Sequence, residues 1–323
     1  MDILHYQKEF LTYLESEKWI QEPKNLYEPV DYILKLGGKR IRPVLTLMAA
    51  DIFSGGFQNA LPAALAVEVF HNFTLVHDDI MDAAPLRRGK ETVHEKWNIN
   101  TGILSGDAML ILAYQYFENY EPIVFQKLAK LFSKTALEVC DGQQLDVDFE
   151  TRNDVTIDEY INMIRLKTSV LVAAALKMGA IVAETSDENA NLIYDFGLNL
   201  GLAFQLQDDF LDTFGDPETF GKQVGGDIIE NKKTYLYLKA LEVANEEDRG
   251  KLKYLYRKKL KENTVKIADV RRLFELNDIP ILVKNKIEEY TEKAFGKLAK
   301  MDVSEESKTN LKNFGLWLMN RSV

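Results

Sequence analysis

Six aspartates carry the densest chemistry in this sequence. Leu75-Val76-His77-Asp78-Asp79-Ile80-Met81-Asp82 sets Asp78 and Asp82 four positions apart, with Asp79 beside the first. On a helix that spacing stacks Asp78 and Asp82 on one face, roughly 6 Å of rise apart. The arrangement repeats in Phe204-Gln205-Leu206-Gln207-Asp208-Asp209-Phe210-Leu211-Asp212, where Asp208, Asp209 and Asp212 keep the same spacing. Carboxylates this close repel unless a cation joins them, and acidic groups at a helix C-terminus oppose its dipole. Mg²⁺ takes one or two carboxylates and fills its octahedron with water and phosphate oxygens, so the spacing suits a metal bridging to a diphosphate. A lone cluster would read more readily as a solvated helix end. Two identical ones, each closing a strongly apolar segment, do not.

Cations lie close by in the chain. Pro85-Leu86-Arg87-Arg88-Gly89-Lys90 is a turn carrying three of them, and Gly37-Gly38-Lys39-Arg40-Ile41-Arg42-Pro43 places three more on a glycine-loosened turn. Glycine lets backbone approach a phosphate, and arginine grips phosphate oxygens in pairs. The GxxxxGK[ST] spacing and the preceding strand of a Walker loop are missing. Lys167, followed by Thr168, and Lys222, Lys232 and Lys233 complete the set. Lys233 reads equally as a surface lysine, Lys232 less so.

These residues need scaffolding, and the scaffold reads as helical. Apolar spacing near 3.6 runs over Tyr27–Leu36, Ile41–Ile52, Leu61–Met81, Asp107–Tyr120, Ile123–Val139, Ile157–Ala183, Asn189–Leu211, Thr234–Val243 and Ile281–Leu298. Strand signals are nearly absent. The spacing predicts a single all-α domain, residues 1–323, of roughly ten or more helices. The segments 61–81 and 189–211 are apolar around most of their circumference and should be central. Residues 249–300 read as solvated packing helices without chemistry.

Composition narrows the function classes. A formal net charge of −10 speaks against a general nucleic-acid surface. No apolar run is long enough for stable membrane insertion, and Met1 to His5 have no secretory character. One cysteine, Cys140, excludes an intrachain disulfide and suits a reducing, cytoplasmic setting. Four histidines leave little material for zinc, whereas 50 acidic residues offer oxygen ligands to a hard cation.

On these motifs the chain resembles the trans-isoprenyl diphosphate synthases, the farnesyl/geranylgeranyl diphosphate synthase family. The matching stretches are Gly37 to Pro43, Phe70 to Gly89, Gly142 to Asp146, Lys167-Thr168, Phe204 to Asp212 and Gly215 to Lys232. The resemblance implies an all-α fold around a central cavity, a homodimer, and three Mg²⁺ ions with Mn²⁺ as an alternative. It implies that Asp78, Asp79, Asp82 and Asp208, supported by Asp209 and Asp212, hold the metals on an allylic diphosphate (dimethylallyl, geranyl or farnesyl). Arg87, Lys167, Lys222 and Gln143 are its further contacts, with the choice between Gln143 and Gln144 open, and Lys232 matches a lysine near that site. Lys39, Arg42, His71 and Arg88 match the grip on isopentenyl diphosphate. The implied chemistry is ionisation to an allylic cation steadied by Gln205 and the Thr168 carbonyl, attack by the partner's double bond, and proton loss to the released diphosphate.

Product length should follow from the helix preceding the first triad. A chain growing back along it meets Phe73 and Thr74, five and four residues before Asp78. In the family two aromatics here favour fifteen carbons and their absence permits longer chains; one aromatic beside one small residue predicts twenty, with fifteen the alternative. The sequence ends Asn320-Arg321-Ser322-Val323, whereas the family's eukaryotic farnesyl synthases often end in a basic tail, which leaves closure of the site open. A terpene cyclase would usually replace the second aspartate cluster and needs no isopentenyl grip. A regulatory subunit would typically have lost one cluster, and a scaffold protein leaves the double motif unexplained.

Overall fold

The computed structural model describes residues 3–216, 224–257 and 263–319. They form two compact units, residues 1–134 with 174–193 and residues 135–173 with 194–323. Both units are helical.

The first unit is built on α1 (Ile3–Ser16), α2 (Lys24–Lys35), α3 (Ile41–Ser54), α4 (Leu61–Met81), α5 (Val93–Lys96) and α6 (Ile99–Gln115), with the start of α7 (Pro122–Thr151) and most of α9 (Val170–Val182). Ala63 to Phe70 are buried without a break on α4, as are Pro43 to Ala50 on α3. That is the burial expected of helices apolar all round. Small residues let the helices close: a Cβ on Gly179 would lie 2.1 Å from the Thr46 carbonyl of α3. On α6, a Cβ on Gly102 would meet Ile80 at 2.8 Å and one on Gly106 would meet His77 at 2.2 Å.

α4 matches the predicted span end to end, and it stops abruptly. The Asp82 N–H donates to the Asp78 carbonyl at 2.8 Å and the Ala84 N–H to the Asp79 carbonyl at 2.9 Å, with Ala83 left-handed at φ 48°. This closes the last carbonyls of the helix just where the aspartates sit. Next comes a hairpin that sequence periodicity did not disclose: β1 (Leu86–Arg87) pairs antiparallel with β2 (Lys90–Glu91). Arg88 and Gly89 form its two-residue turn with φ 52° and 72°, the positive-φ pair that matches strand twist.

The second unit holds the rest of α7, α8 (Ile157–Ile164), a π-helical segment (Arg165–Ser169), most of α10 (Asp187–Phe214), α11 (Gly226–Ile229), α12 (Tyr235–Val243), α13 (Glu246–Leu255), α14 (Asn263–Leu276), α15 (Ile279–Ala299) and α16 (Glu305–Met319). Its core includes Tyr160, Leu206, Tyr235, Leu236, Phe274 and Val283. A capping box formed by Thr156 and Glu159 starts α8, and the Asn245 side chain caps α13.

Several boundaries differ from the periodicity. α6 begins at Ile99, capped by Asn98, rather than at Asp107; its small residues imitate a loop in sequence but face α4 in the fold. α7 runs on to Thr151 and takes in Gly142 to Asp146. The span 157–183 is broken by the π turn, a register change that leaves the apolar pattern intact. Among the described residues no helix is long and apolar enough to cross a membrane.

Candidate active site

In the first unit the triad ends α4. Asp78 is partly buried, Asp82 exposed, and Asp79 only 1% exposed. Asp79 is committed to Arg87: Arg87 Nε donates to both carboxylate oxygens at 2.9 and 2.8 Å, and an Nη donates to Oδ1 at 2.7 Å. The hairpin exists, in effect, to present Arg87 to this aspartate and Arg88 to the glycine turn. Arg88 donates to the Gly37 carbonyl, and a Cβ on Gly38 (φ 125°) would lie 2.8 Å from its guanidinium. At that φ only glycine is unstrained.

Beside this turn Arg42 and His71 meet, Nη1 to Nε2, at 3.1 Å. The guanidinium can only donate, so Nε2 accepts and the proton rests on Nδ1. Burial, and then Arg42, Arg88, Arg87 and Arg40, push His71 well below the usual imidazole pKa, which keeps it neutral. Arg42 Nε is buried without a hydrogen-bond partner, a donor of the kind that an anion satisfies. Lys39 lies exposed on the same turn. Arg40, by contrast, is buried, left-handed at φ 49°, and donates to Glu68 and to the Leu34 carbonyl, so it anchors the turn from behind.

One turn back on α4, Phe73 is partly buried, with its ring 4.7 Å from His77 and 5.5 Å from Phe70. Phe70 stacks edge-on with Phe132 at 5.0 Å. The Thr74 hydroxyl turns back onto the His71 carbonyl at 2.8 Å. Phe73 is therefore the bulk at these two positions and Thr74 the gap.

In the second unit Asp208 and Asp212 are partly buried and Asp209 is 5% exposed. Asp209 accepts from the Tyr160 hydroxyl and, at 3.0 Å, from Gln205 Nε2. Gln205 Oε1 in turn accepts from the Thr168 hydroxyl at 3.1 Å. Asp212 accepts the Asp227 N–H at 3.0 Å on its side chain and the Gly225 N–H at 2.6 Å on its carbonyl, so it also holds the start of α11. Asp227 has its carboxyl pushed up to about 7, by burial first and then by the charge of Asp212.

Lys167 and Thr168 lie on the π segment, which is clamped from two sides. A Cβ on Gly142 of α7 would sit 2.3 Å from the Lys167 backbone nitrogen, and one on Gly201 of α10 would sit 2.8 Å from Ser169 Cα. Lys167 Nζ pairs with Asp146 at 2.6 Å. Gln143 is partly buried, whereas Gln144 is exposed and bonded to the surface Asp148 at 2.8 Å; the register with Gln143 inward is the one the helix presents. Lys232 pairs with Glu230 at 3.1 Å. Lys233 donates to the Phe149 and Glu150 carbonyls at 2.6 and 2.9 Å, a cap on the end of α7. Lys222 and Asn320 to Val323 lie outside the described residues.

The fold adds residues that sequence reasoning missed: Asp146 on Lys167, Tyr160 on Asp209, Asp227 on Asp212, and Lys266, which is 1% exposed and holds the Ile228 carbonyl at 2.5 Å and Asn231 Oδ1 at 2.7 Å. Of these only Asp146 had a signal, its place in the Gly142 to Asp146 stretch. The donor set of both triads is carboxylate oxygen, which fits a hard cation such as Mg²⁺ and not zinc. Among the described residues no three His, Cys, Asp or Glu groups converge into a preformed metal cage. Mg²⁺ does not require one, because water and phosphate oxygens supply most of its ligands.

Comparison with known proteins points to one family. The family model described as polyprenyl synthetase matches residues 23–274. A geranylgeranyl diphosphate synthase of Methanosarcina mazei is 43% identical over 225 residues, 69% of each chain. A geranylfarnesyl diphosphate synthase of Natronomonas pharaonis is 40% identical over 239 residues, 68% of this chain and 70% of its own. The crystal structure of a geranylgeranyl pyrophosphate synthase superposes with a TM-score of 0.96 at 55% identity, covering 99% of both chains.

Proposed function

The chain belongs to the polyprenyl synthetase family and is a trans-prenyltransferase making a short-chain prenyl diphosphate; on that footing we propose a twenty-carbon product and a division of labour within each triad. The observation that carries the proposal is shared by the two motifs. In both, the second aspartate is buried and bonded to the protein, Asp79 to Arg87 and Asp209 to Tyr160 and Gln205, while the first is partly accessible. Asp78, Asp82 and Asp208 are accordingly the metal ligands, with Asp212 in support, and Asp79 and Asp209 are anchors. This departs from the expectation that Asp79 ligates metal, because its two oxygens already meet a guanidinium.

Members of this family condense isopentenyl diphosphate with an allylic diphosphate and generally use Mg²⁺. Three Mg²⁺ ions, or Mn²⁺ in their place, would neutralise charge on the leaving diphosphate. To that diphosphate we assign Arg87, Lys167, Lys232 and Gln143, together with Lys222, which lies outside the described residues. Neutralisation lets the C–O bond ionise, and Gln205 Oε1 and the Thr168 carbonyl steady the allylic cation. Lys39, Arg42, neutral His71 and Arg88 hold isopentenyl diphosphate so that its double bond attacks. The released diphosphate takes the proton, and no protein base is assigned. Phe73 closes the floor only in part, because Thr74 beside it is small. Ile99, Ile103, Leu104 and Ile111 leave an exposed apolar stripe on α6, which supports a homodimer. The single cysteine suits a cytoplasmic setting.

The test is turnover with Mg²⁺, labelled isopentenyl diphosphate and each allylic primer. Asp78→Ala and Asp208→Ala should each lose activity by about 1000-fold, and undiminished turnover of the double variant would end the proposal. Hydrocarbon formed from primer alone would favour a cyclase. Phe73→Ala should shift the product beyond twenty carbons on chromatography; an unchanged product places the floor elsewhere.

A further inference from the structure

We propose that Tyr160 is a positioning residue: acting through Asp209, its hydroxyl fixes which end of the Gln205 amide faces the reacting carbon. The inference rests on the reading of Gln205 as a group that steadies the allylic cation, and it adds the device that orients it. Four side chains form one row within the second unit. Tyr160 on α8 donates to Asp209 Oδ2, Asp209 Oδ1 accepts from Gln205 Nε2 at 3.0 Å, and Gln205 Oε1 accepts from the Thr168 hydroxyl on the π segment at 3.1 Å.

An amide has a negative and a positive end, and only the oxygen end stabilises a cation. A flip of Gln205 by 180° would present its N–H groups instead and repel positive charge. Asp209 prevents the flip because its Oδ1 accepts the amide nitrogen. Asp209 is itself held from the other side by Tyr160. Tyr160 is 3% exposed and Asp209 5%, so water has no room to replace the phenol. The donors therefore converge on Asp209, the Tyr160 phenol from one side and the Gln205 amide N–H from the other, while the Thr168 hydroxyl donates to the amide oxygen. None of the four is among the residues proposed to bind either diphosphate.

The test begins with Tyr160→Phe, which removes one oxygen and keeps the ring. Its kcat should fall roughly tenfold while KM for both diphosphates stays within about twofold. An ammonium analogue of the allylic cation should bind about tenfold more weakly, and a thiolodiphosphate of the same primer, which cannot ionise, should bind as before. In a Gln205→Leu background Tyr160→Phe should have no further effect on kcat. Equal weakening of both analogues, or additive effects of the two substitutions, would overturn the inference. If Gln205→Leu itself leaves kcat unchanged, the reading of Gln205 fails and the inference with it. If Gln205→Leu is slow and Tyr160→Phe is not, only the inference fails. Should Tyr160→Phe not fold, Thr168→Val removes the hydroxyl at the other end of the row, and must show the same split between the analogues or the inference is lost.

Discussion

At the scale of single residues, identical letters do different work. Asp78 and Asp79 are neighbours in sequence, yet one is partly accessible and the other spends both oxygens on Arg87. Arg40 and Arg42 divide similarly, the first sealed against Glu68 and the second directed at His71. His71 gives the sharpest prediction here. Its pKa is driven well below 6.5, so it carries no charge at working pH and serves as an acceptor for Arg42 and a neutral donor at Nδ1. His71→Gln, which also offers one acceptor and a neutral donor, should hold KM for isopentenyl diphosphate within about threefold, whereas His71→Leu should raise it roughly tenfold or more. The KM of the wild type should show no step from His71 between pH 6 and 8. Initial-rate measurements over that range check all three.

At the scale of elements, the device that places Lys167 and Thr168 is a π turn clamped by glycines. Periodicity through 157–183 could not reveal it, because one extra residue in a turn shifts register without disturbing an apolar count. The clamp is specific: a Cβ at Gly142 would lie 2.3 Å from backbone, which cannot swing aside as a side chain would. Gly142→Ala should therefore displace the π segment. The expected cost is about 1–3 kcal/mol of stability from overpacking, visible in the urea midpoint, with kcat reduced more than tenfold at unchanged helix content. Full activity in this variant would show that the segment can move without consequence. The β1–β2 hairpin was equally hidden. Two-residue strands have no alternation to read, although Arg88-Gly89 is a turn signal that marks its place.

At the scale of the whole molecule, opposing titrations bound the stability of the metal-free protein. His71 has a folded pKa below its unfolded value of 6.5, so its neutral burial costs stability progressively as pH falls below about 6.5. Asp227 has a folded pKa of about 7, above its unfolded 3.8, so stability is lost as pH rises through about 7. Without metal the two slopes therefore oppose each other below about pH 6.5, and between about pH 6.5 and 7 Asp227 alone lowers the melting midpoint as pH rises. Asp227→Asn should remove that fall, and an unaltered decline toward pH 7 in this variant would remove Asp227 as its cause. The α6 stripe belongs to this scale too. Replacing Ile103 and Ile111 by lysine should shift sedimentation toward a monomer if the stripe is the homodimer surface, and unchanged sedimentation would assign the dimer elsewhere.

What the sequence determined by itself was the chemistry: two triads, two basic turns, and helical periodicity dense enough to imply the fold. Those are local properties, since i,i+4 spacing on a helix and glycine in a turn need no distant partner to be read. α4 was legible to its last residue for the same reason. What tertiary structure decided was the assignment of roles among like residues. Asp79 became an anchor because a hairpin brought Arg87 to it, Gln144 went to the surface because α7 turned Gln143 inward, and Tyr160 and Lys266 entered the account because burial paired them with groups dozens of positions away. Burial and hydrogen-bond partnership are relations between segments, so a reading along one chain cannot contain them.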